Sequence, residues 1–259
     1  MSITAFFAAL FLTFGCKFVN FDNNFDHIFD SYDEEGLAKI NKLSGSGPVL
    51  TREFNVGSFS KLETNIPGNV EFKYTDGEPS VTITTYENIF DEIKLDTRDS
   101  TLIVRIKKAK RYNIKQLDIL IKSPELSSIT LNGAGDFETE ETLCGENLDI
   151  SISGAADVDI FGIGAGKSNI SIAGAGDIDI ENCLTGELRI AIAGAGDVNI
   201  DNIDCSYATL SLAGAGDIDL NGVADRVDLA IAGVGDIDIS DLEIKELNQE
   251  IKGVGSVIR

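Results

Sequence analysis

The chain has 259 residues, 43% of them hydrophobic, with no Trp, one Met and one His. That apolar content supplies a core for one large all-β domain or two ordinary ones. A formal net charge of −22 excludes charge-driven binding to nucleic acid or to an anionic membrane surface.

The first element is an apolar run from Ile3 to Phe14 that ends in Gly15-Cys16. It is too short to span a bilayer and has the character of a signal-peptide core. Cys16 after Gly15 resembles a bacterial lipoprotein cleavage site, where the cysteine is acylated and becomes the new N-terminus. Thr13 stands where such sites usually carry Leu, Phe14 where they carry a small residue, and no Lys or Arg precedes the run. We therefore read residues 1–15 as a signal peptide, Cys16 as the lipidation site and residues 16–43 as a tether. The competing readings are a buried N-terminal segment or the signal peptide of a soluble protein. The tether runs through NFDNNFDHIFDSYDEEG into Ser44-Gly45-Ser46-Gly47-Pro48, an acidic stretch followed by linker residues.

Residues 44–130 read as irregular N-terminal strands. VEFKYTDGEPSVTITTY alternates on both sides of Asp76-Gly77, a hairpin signal. Arg105, Lys107, Lys108, Lys110 and Arg111 are read as a solvated strand edge and turn, because residues 49–130 carry 12 basic and 12 acidic residues.

From residue 131 a repeat takes over, with its first Gly at Gly133, Gly154, Gly174, Gly194, Gly214, Gly233 and Gly253. Seven copies about 20 residues apart are the signature of a solenoid. In Ile170-Ser-Ile-Ala-Gly-Ala-Gly-Asp-Ile-Asp-Ile180, every second residue is aliphatic or Gly, which is the period of a strand. The glycines imply a sharp corner with no room for side chains on its inner side. The fold predicted is an all-β, single-stranded parallel β-helix of about 20 residues per coil, right-handed by the crossover rule.

This section carries 6 basic and 25 acidic residues, so the acidity belongs to the repeat. Asp136, Asp157, Asp177, Asp197, Asp217 and Asp236 should stack in one outward column. Glu138, Asp159, Asp179, Asn199, Asp219 and Asp238 should stack in a second. Like charges about 5 Å apart repel by ~0.8 kcal/mol even in bulk water. Three readings compete: a cation ladder with loose calcium binding, an active site, and a solvated face that keeps a long sheet soluble. GAGD resembles the glycine-aspartate nonapeptides of calcium-binding RTX proteins, but those repeat every nine residues. Glycosidases need one unique carboxylate pair, whereas these acids are uniform. His27 lies in the tether, which leaves no Ser-His-Asp set and no His metal site.

Beside the acids runs a strip of small outward residues: Ala173, Ala175, Ala193, Ala195, Ala213, Ala215, Ala232 and Val234. It is read as the demand of a tight corner, with a docking strip as the alternative. In the last coil Ser256 replaces Asp and Ile258 falls in the second acid column, as expected where an edge is capped. A homo-oligomer would cover that end. Cys144, Cys183 and Cys205 are read as buried free thiols, with Cys144 and Cys205 at the same place in their repeats and a bridge between Cys183 and Cys205, in adjacent repeats, as the alternative.

REFNVGSFSKLETNIPGNVEFKYTDGEPSVTITTY, PELSSITLNGAGDFE and the copies SGAADVDI and AGAGDIDI, in that order, resemble the autotransporter adhesin head, or GIN, domain family. The resemblance covers residues 44–259. It implies a β-helix related in shape to pectin lyases but without their catalytic residues, and a cell-envelope role in adhesion with a signal peptide or lipid anchor. The expected protein is a non-catalytic outer-membrane lipoprotein that binds a protein or a glycan, or serves as a scaffold, and touches the membrane only through its anchor. A carbohydrate-binding or carbohydrate-active helix using the Asp columns with calcium is the alternative. No other cofactor is expected.

Overall fold

The computed structural model describes residues 42–107 and 111–259. The expected signal peptide, Cys16 and the tether up to residue 41 lie outside the described residues. Ten short strands come first: β1 (Lys42–Ser44), β2 (Val49–Asn55), β3 (Lys61–Asn65), β4 (Asn69–Tyr74), β5 (Ser80–Tyr86), β6 (Ile93–Arg98), β7 (Thr101–Ile106), β8 (Arg111–Asn113), β9 (Leu117–Ser123) and β10 (Ser128–Leu131). A 3-10 turn, Glu87–Glu92, separates β5 from β6. Five long strands follow: β11 (Phe137–Ile152), β12 (Val158–Ile172), β13 (Ile178–Ile192), β14 (Val198–Leu212) and β15 (Ile218–Ile231). The last coils are β16 (Ile237–Asp238), β17 (Leu242–Ile251) and β18 (Val257–Ile258).

The long strands form the predicted parallel β-helix. Ile178 pairs with Val198 and Val198 with Ile218, so 20 residues complete each of these coils. Within β13 the buried residues are Ile178, Ile180, Cys183, Thr185, Leu188, Ile190 and Ile192. Alternation slips where two neighbours both face out, at Glu181-Asn182 and at Gly186-Glu187. Each slip turns the strand while keeping aliphatic side chains inward. With the glycine corner, each coil therefore has three straight runs and three bends. Asn side chains support one bend: Asn182 and Asn202 donate from Nδ2 to the carbonyls of Phe161 and Glu181, at 3.1 and 3.0 Å.

The core is a set of aliphatic stacks, of which Ile152, Ile172, Ile192, Leu212 and Ile231 are one, all at most 1% exposed. Because parallel coils repeat the same side chain about every 4.8 Å, flat Ile and Val stacks fill the interior without aromatics. Among the described residues the buried Phe side chains (Phe59, Phe72, Phe90, Phe137) all precede β12.

The irregular N-terminal strands contain coils of their own. β3 pairs in parallel with β10, and β4 pairs in parallel with β11. Ile66-Pro67-Gly68-Asn69-Val70 thus occupies the corner that Gly133 to Phe137 occupies one coil later. β7 and β9 lie on the other edges of β3 and β4, again in parallel. Antiparallel β6 then covers β7, while antiparallel β5, itself paired with β2, covers β9.

This arrangement corrects the hairpin reading of Asp76-Gly77. β4 spends both edges on the parallel neighbours β9 and β11, so β5 cannot pair with it. The turn at Asp76-Gly77 instead carries the chain across β9 to that strand's free edge.

Cys144 is also corrected: it is exposed, while Cys183 and Cys205 are buried free thiols. Register aligns Cys205 with Gly145 through Thr185 and Ala165, one residue away from Cys144. A one-residue offset places a side chain on the opposite face of a strand. Burial pushes the Cys183 thiol up to about 12 and that of Cys205 to about 11.

Candidate functional site

The corner explains why the repeated phrase needs glycine. A Cβ on Gly174 would lie 2.0 Å from the carbonyl oxygen of Gly154, and one on Gly194 would lie 2.0 Å from that of Gly174. The obstacle is thus the backbone of the preceding coil, not a crowded interior as the alternation suggested. In the four coils with Gly176, Gly196, Gly216 and Gly235 the second glycine takes positive φ, +141° at Gly235, which L side chains rarely adopt. Ala156 fills that place in one coil without positive φ and buries its methyl group instead.

This backbone change leaves an amide to be satisfied, and Asp satisfies it. Ala175 N–H donates to the carbonyl of Gly154, and Ala156 N–H donates to that of Ala175. In a regular parallel ladder the next donor, Asp177 N–H, would meet the carbonyl of Ala156. It donates instead to Oδ1 of Asp157, at 3.0 Å. The same bond recurs up the stack: Asp157 N–H to Asp136, Asp197 to Asp177, Asp217 to Asp197 and Asp236 to Asp217, at 3.2, 2.9, 2.7 and 2.6 Å. Ser256 closes the series by donating from both its amide and its hydroxyl to Asp236 Oδ1, each at 2.7 Å.

The first acid column is therefore a hydrogen-bond ladder along the corner. A hydrogen bond to a charged acceptor contributes about 1.5–3 kcal/mol, more than the ~0.8 kcal/mol Coulomb repulsion between exposed neighbours. That balance permits a file of like charges. The internal recurrence of Asp was the signal in the sequence, but only the peptide orientation shows its partner.

The second column is in the expected register, from Glu138 through Asp159, Asp179, Asn199 and Asp219 to Asp238. Asn199 interrupts it and donates to Asp179 Oδ1 at 2.8 Å. Burial, then the neighbouring Asp179, raises Asp159 above the usual carboxylate range; burial, then Asp238, raises Asp219. Asp238 is lowered by the backbone N–H of Ser240. Glu138, Asp159, Asp179 and Asn199 of this column line an open groove of about 610 Å³ with Glu71, Glu140, Glu181, Asp201 and the half-exposed ring of Phe161. No Lys, Arg or His among the described residues lines it. Among the described residues no group of three or more His, Cys, Asp or Glu side chains is placed to hold one metal ion.

The alanines of the corner face outward as expected, and the strip ends in Val234 and Val254, 58% and 77% exposed. A polar cluster escaped the sequence reading: Tyr207 and Asn248 donate to Asp228 at 2.6 and 2.8 Å, and Arg226 pairs with it at 3.2 Å. Its members come from three successive coils, so spacing along one repeat does not reveal it.

Comparison with known proteins places this architecture. The model of the family described as "Putative auto-transporter adhesin, head GIN domain" matches residues 58–182 and 167–258. The chain belongs to the GIN domain family. Among solved structures, a "putative adhesin" of Bacteroides fragilis is similar at 28% identity and a TM-score of 0.75, covering 83% of this chain and 98% of its own. A "putative adhesin" of Parabacteroides merdae shares 18% identity with a TM-score of 0.67, over 85% of this chain and all of its own. A Parabacteroides distasonis structure described as a "putative lipid binding protein" shares 18% identity and a TM-score of 0.68, over 84% of this chain and 100% of its own. The latter two likenesses concern the fold alone. The search of curated proteins found no match.

Proposed function

We propose that this GIN domain is the non-catalytic binding head of a cell-envelope adhesin, held at the outer membrane through an acylated Cys16. The observation that carries the non-catalytic reading is the corner ladder. Each rung gives a carboxylate oxygen to the amide of the next coil, and every coil repeats the arrangement. Acid–base catalysis needs two carboxyl groups in different environments at one place. Uniform rungs supply neither the difference nor the place.

A second reading is a glycan-binding helix assisted by calcium along the second column. The groove lined by Asp159, Asp179 and Asp201 favours it, since open acidic grooves suit cations and hydroxyl-rich ligands.

The experiment is fractionation and mass spectrometry of the expressed full chain, paired with an adhesion assay on whole cells. The expected result is an acylated mature N-terminus at Cys16, recovery in the outer membrane, and adhesion lost in Cys16→Ser because the head is no longer displayed. An unmodified N-terminus at Met1 would overturn the anchor. Polysaccharide cleavage abolished by one Asp→Asn change would overturn the non-catalytic reading.

A further inference from the structure

The six basic side chains of residues 131–259 are not equivalent. Lys167 pairs with Glu187 at 2.8 Å, Arg226 with Asp228 and Glu246 at 3.2 and 3.5 Å, Lys245 with Asp225 and Lys252 with Glu250 at 2.5 Å each. Arg259 donates to Gln249. The side chain of Arg189 is exposed and has no ion pair or hydrogen bond among the described residues. A guanidinium offers five donors in a planar fork, and in a chain of net charge −22 a bare one is conspicuous.

Its surroundings are built for a ligand of a particular kind. Arg189 stands at the edge of a shallow depression of about 370 Å³, which Thr209, Ser211, Asn248, Gln249 and Glu250 also line. Sites for small ligands begin at about 300 Å³. Arg189, Thr209, Asp228 and Asn248 occupy successive coils of one outward column. The two acids there are already engaged, Asp228 by Tyr207, Asn248 and Arg226, and Glu250 by Lys252. The depression therefore does not repel an anion as the acidic groove does.

We propose that this depression binds a carboxylated sugar, with the carboxylate on Arg189 and sugar hydroxyls on Thr209, Ser211 and Asn248. Arg and carboxylate match as a two-bond fork. Thr209, Ser211 and Asn248 stand among the apolar groups of Leu210, Leu229 and Ala230, a mixture that suits both the hydroxyls and the apolar face of a sugar ring. An extended peptide is disfavoured, because strand addition needs a free sheet edge. Here the backbone of β13, β14 and β15 is spent on neighbouring coils. The proposal rests on the reading of the solenoid as a binding head, and it names the face and the ligand chemistry.

The test is calorimetric titration of the full chain with tetramers of galacturonate and of glucuronate. Neutral galactose tetramer, glucose 6-sulfate and a Glu-Glu dipeptide are the comparison probes. The expected result is binding of a uronate tetramer that weakens by about tenfold or more in Arg189→Gln, the loss expected when a charge-assisted pair is removed. Arg189→Lys should restore part of it, and Lys245→Gln, whose partner Asp225 does not line the depression, should leave it unchanged. Equal uronate binding by wild type and Arg189→Gln, or none at all, overturns the site. Tighter binding of the sulfate ester, or equal binding of the dipeptide, overturns the sugar-acid assignment. Whole-cell adhesion separates this from the broader reading. Adhesion that persists in Arg189→Gln with no uronate binding discards the site and keeps the adhesin, whereas uronate binding without adhesion discards the adhesin.

Discussion

Asp228 and Asp159 carry the same side chain and titrate in opposite directions. Hydrogen bonds from Tyr207, Asn248 and Arg226 lower Asp228 to about 2. Burial and the neighbouring Asp179 raise Asp159, and Asp219 is raised likewise. An unfolded Asp titrates near 3.9. Above that value the raised groups bind more protons folded than unfolded, so acidification through that window adds stability. The lowered groups, Asp228 and Asp238, stabilise the fold fully above about 3.9 and lose that contribution as pH falls toward 2. A thermal-unfolding series should therefore show the midpoint rising from pH 7 toward the window just above pH ~4, then falling below it. Asp159→Asn should flatten part of the rise. A midpoint that falls steadily from pH 7 to pH 4 would contradict this assignment. The lowering of Asp228 was not legible in the sequence, because two of its three partners, Tyr207 and Asn248, come from other coils.

At the scale of the coil, the parts legible in the sequence are those set by period. Alternation across Ile170 to Ile180 assigned the inward row correctly, since the glycines keep the two-residue phase through the corner. What escaped depends on contacts between coils. The coil at Lys61–Tyr74 has Ile66-Pro67-Gly68 in place of the glycine-rich phrase, and only its pairing with β10 and β11 reveals it. Cys144 was misplaced because the first repeat is 21 residues long and shifts register between Thr139 and Thr142. The glycine corner was located correctly, but its cause was not. Since a Cβ at Gly194 would meet backbone rather than a movable side chain, Gly194→Ala should force the coils apart. The expected cost is about 1–3 kcal/mol, typical of overpacking, read as a lower denaturation midpoint. Ala213→Gly, at an exposed site beside the next corner, serves as the control. Equal midpoints for wild type and Gly194→Ala would remove the steric account.

Over the whole molecule, the solenoid has a direction. Antiparallel β5 and β6 cover the N-terminal coil, and from there the Asp ladder runs in single file from Asp136 to Ser256. Acidic charge gathers along the same section, with 25 acids against 6 bases in residues 131–259. A solvated acidic surface also discourages edge-to-edge association of a long sheet. The ladder thus combines two tasks, binding each corner amide and keeping the helix soluble, without calling on chemistry at any one coil. Where an amide is the partner, the corner requires an acceptor oxygen, and the charge on it strengthens the bond while adding repulsion along the file.

The most direct test is thermal unfolding of wild type, Asp197→Asn and Asp197→Ala, each with calcium and with chelator. Asn keeps an acceptor oxygen, so Asp197→Asn should melt at or slightly above the wild-type midpoint. Asp197→Ala strands the Asp217 amide and should cost about 1–2 kcal/mol, or roughly 2–8 °C in a domain of this size. Calcium should shift none of the three. A calcium-dependent rise in the wild-type midpoint that disappears in Asp197→Asn would contradict the ladder and make the column a cation site.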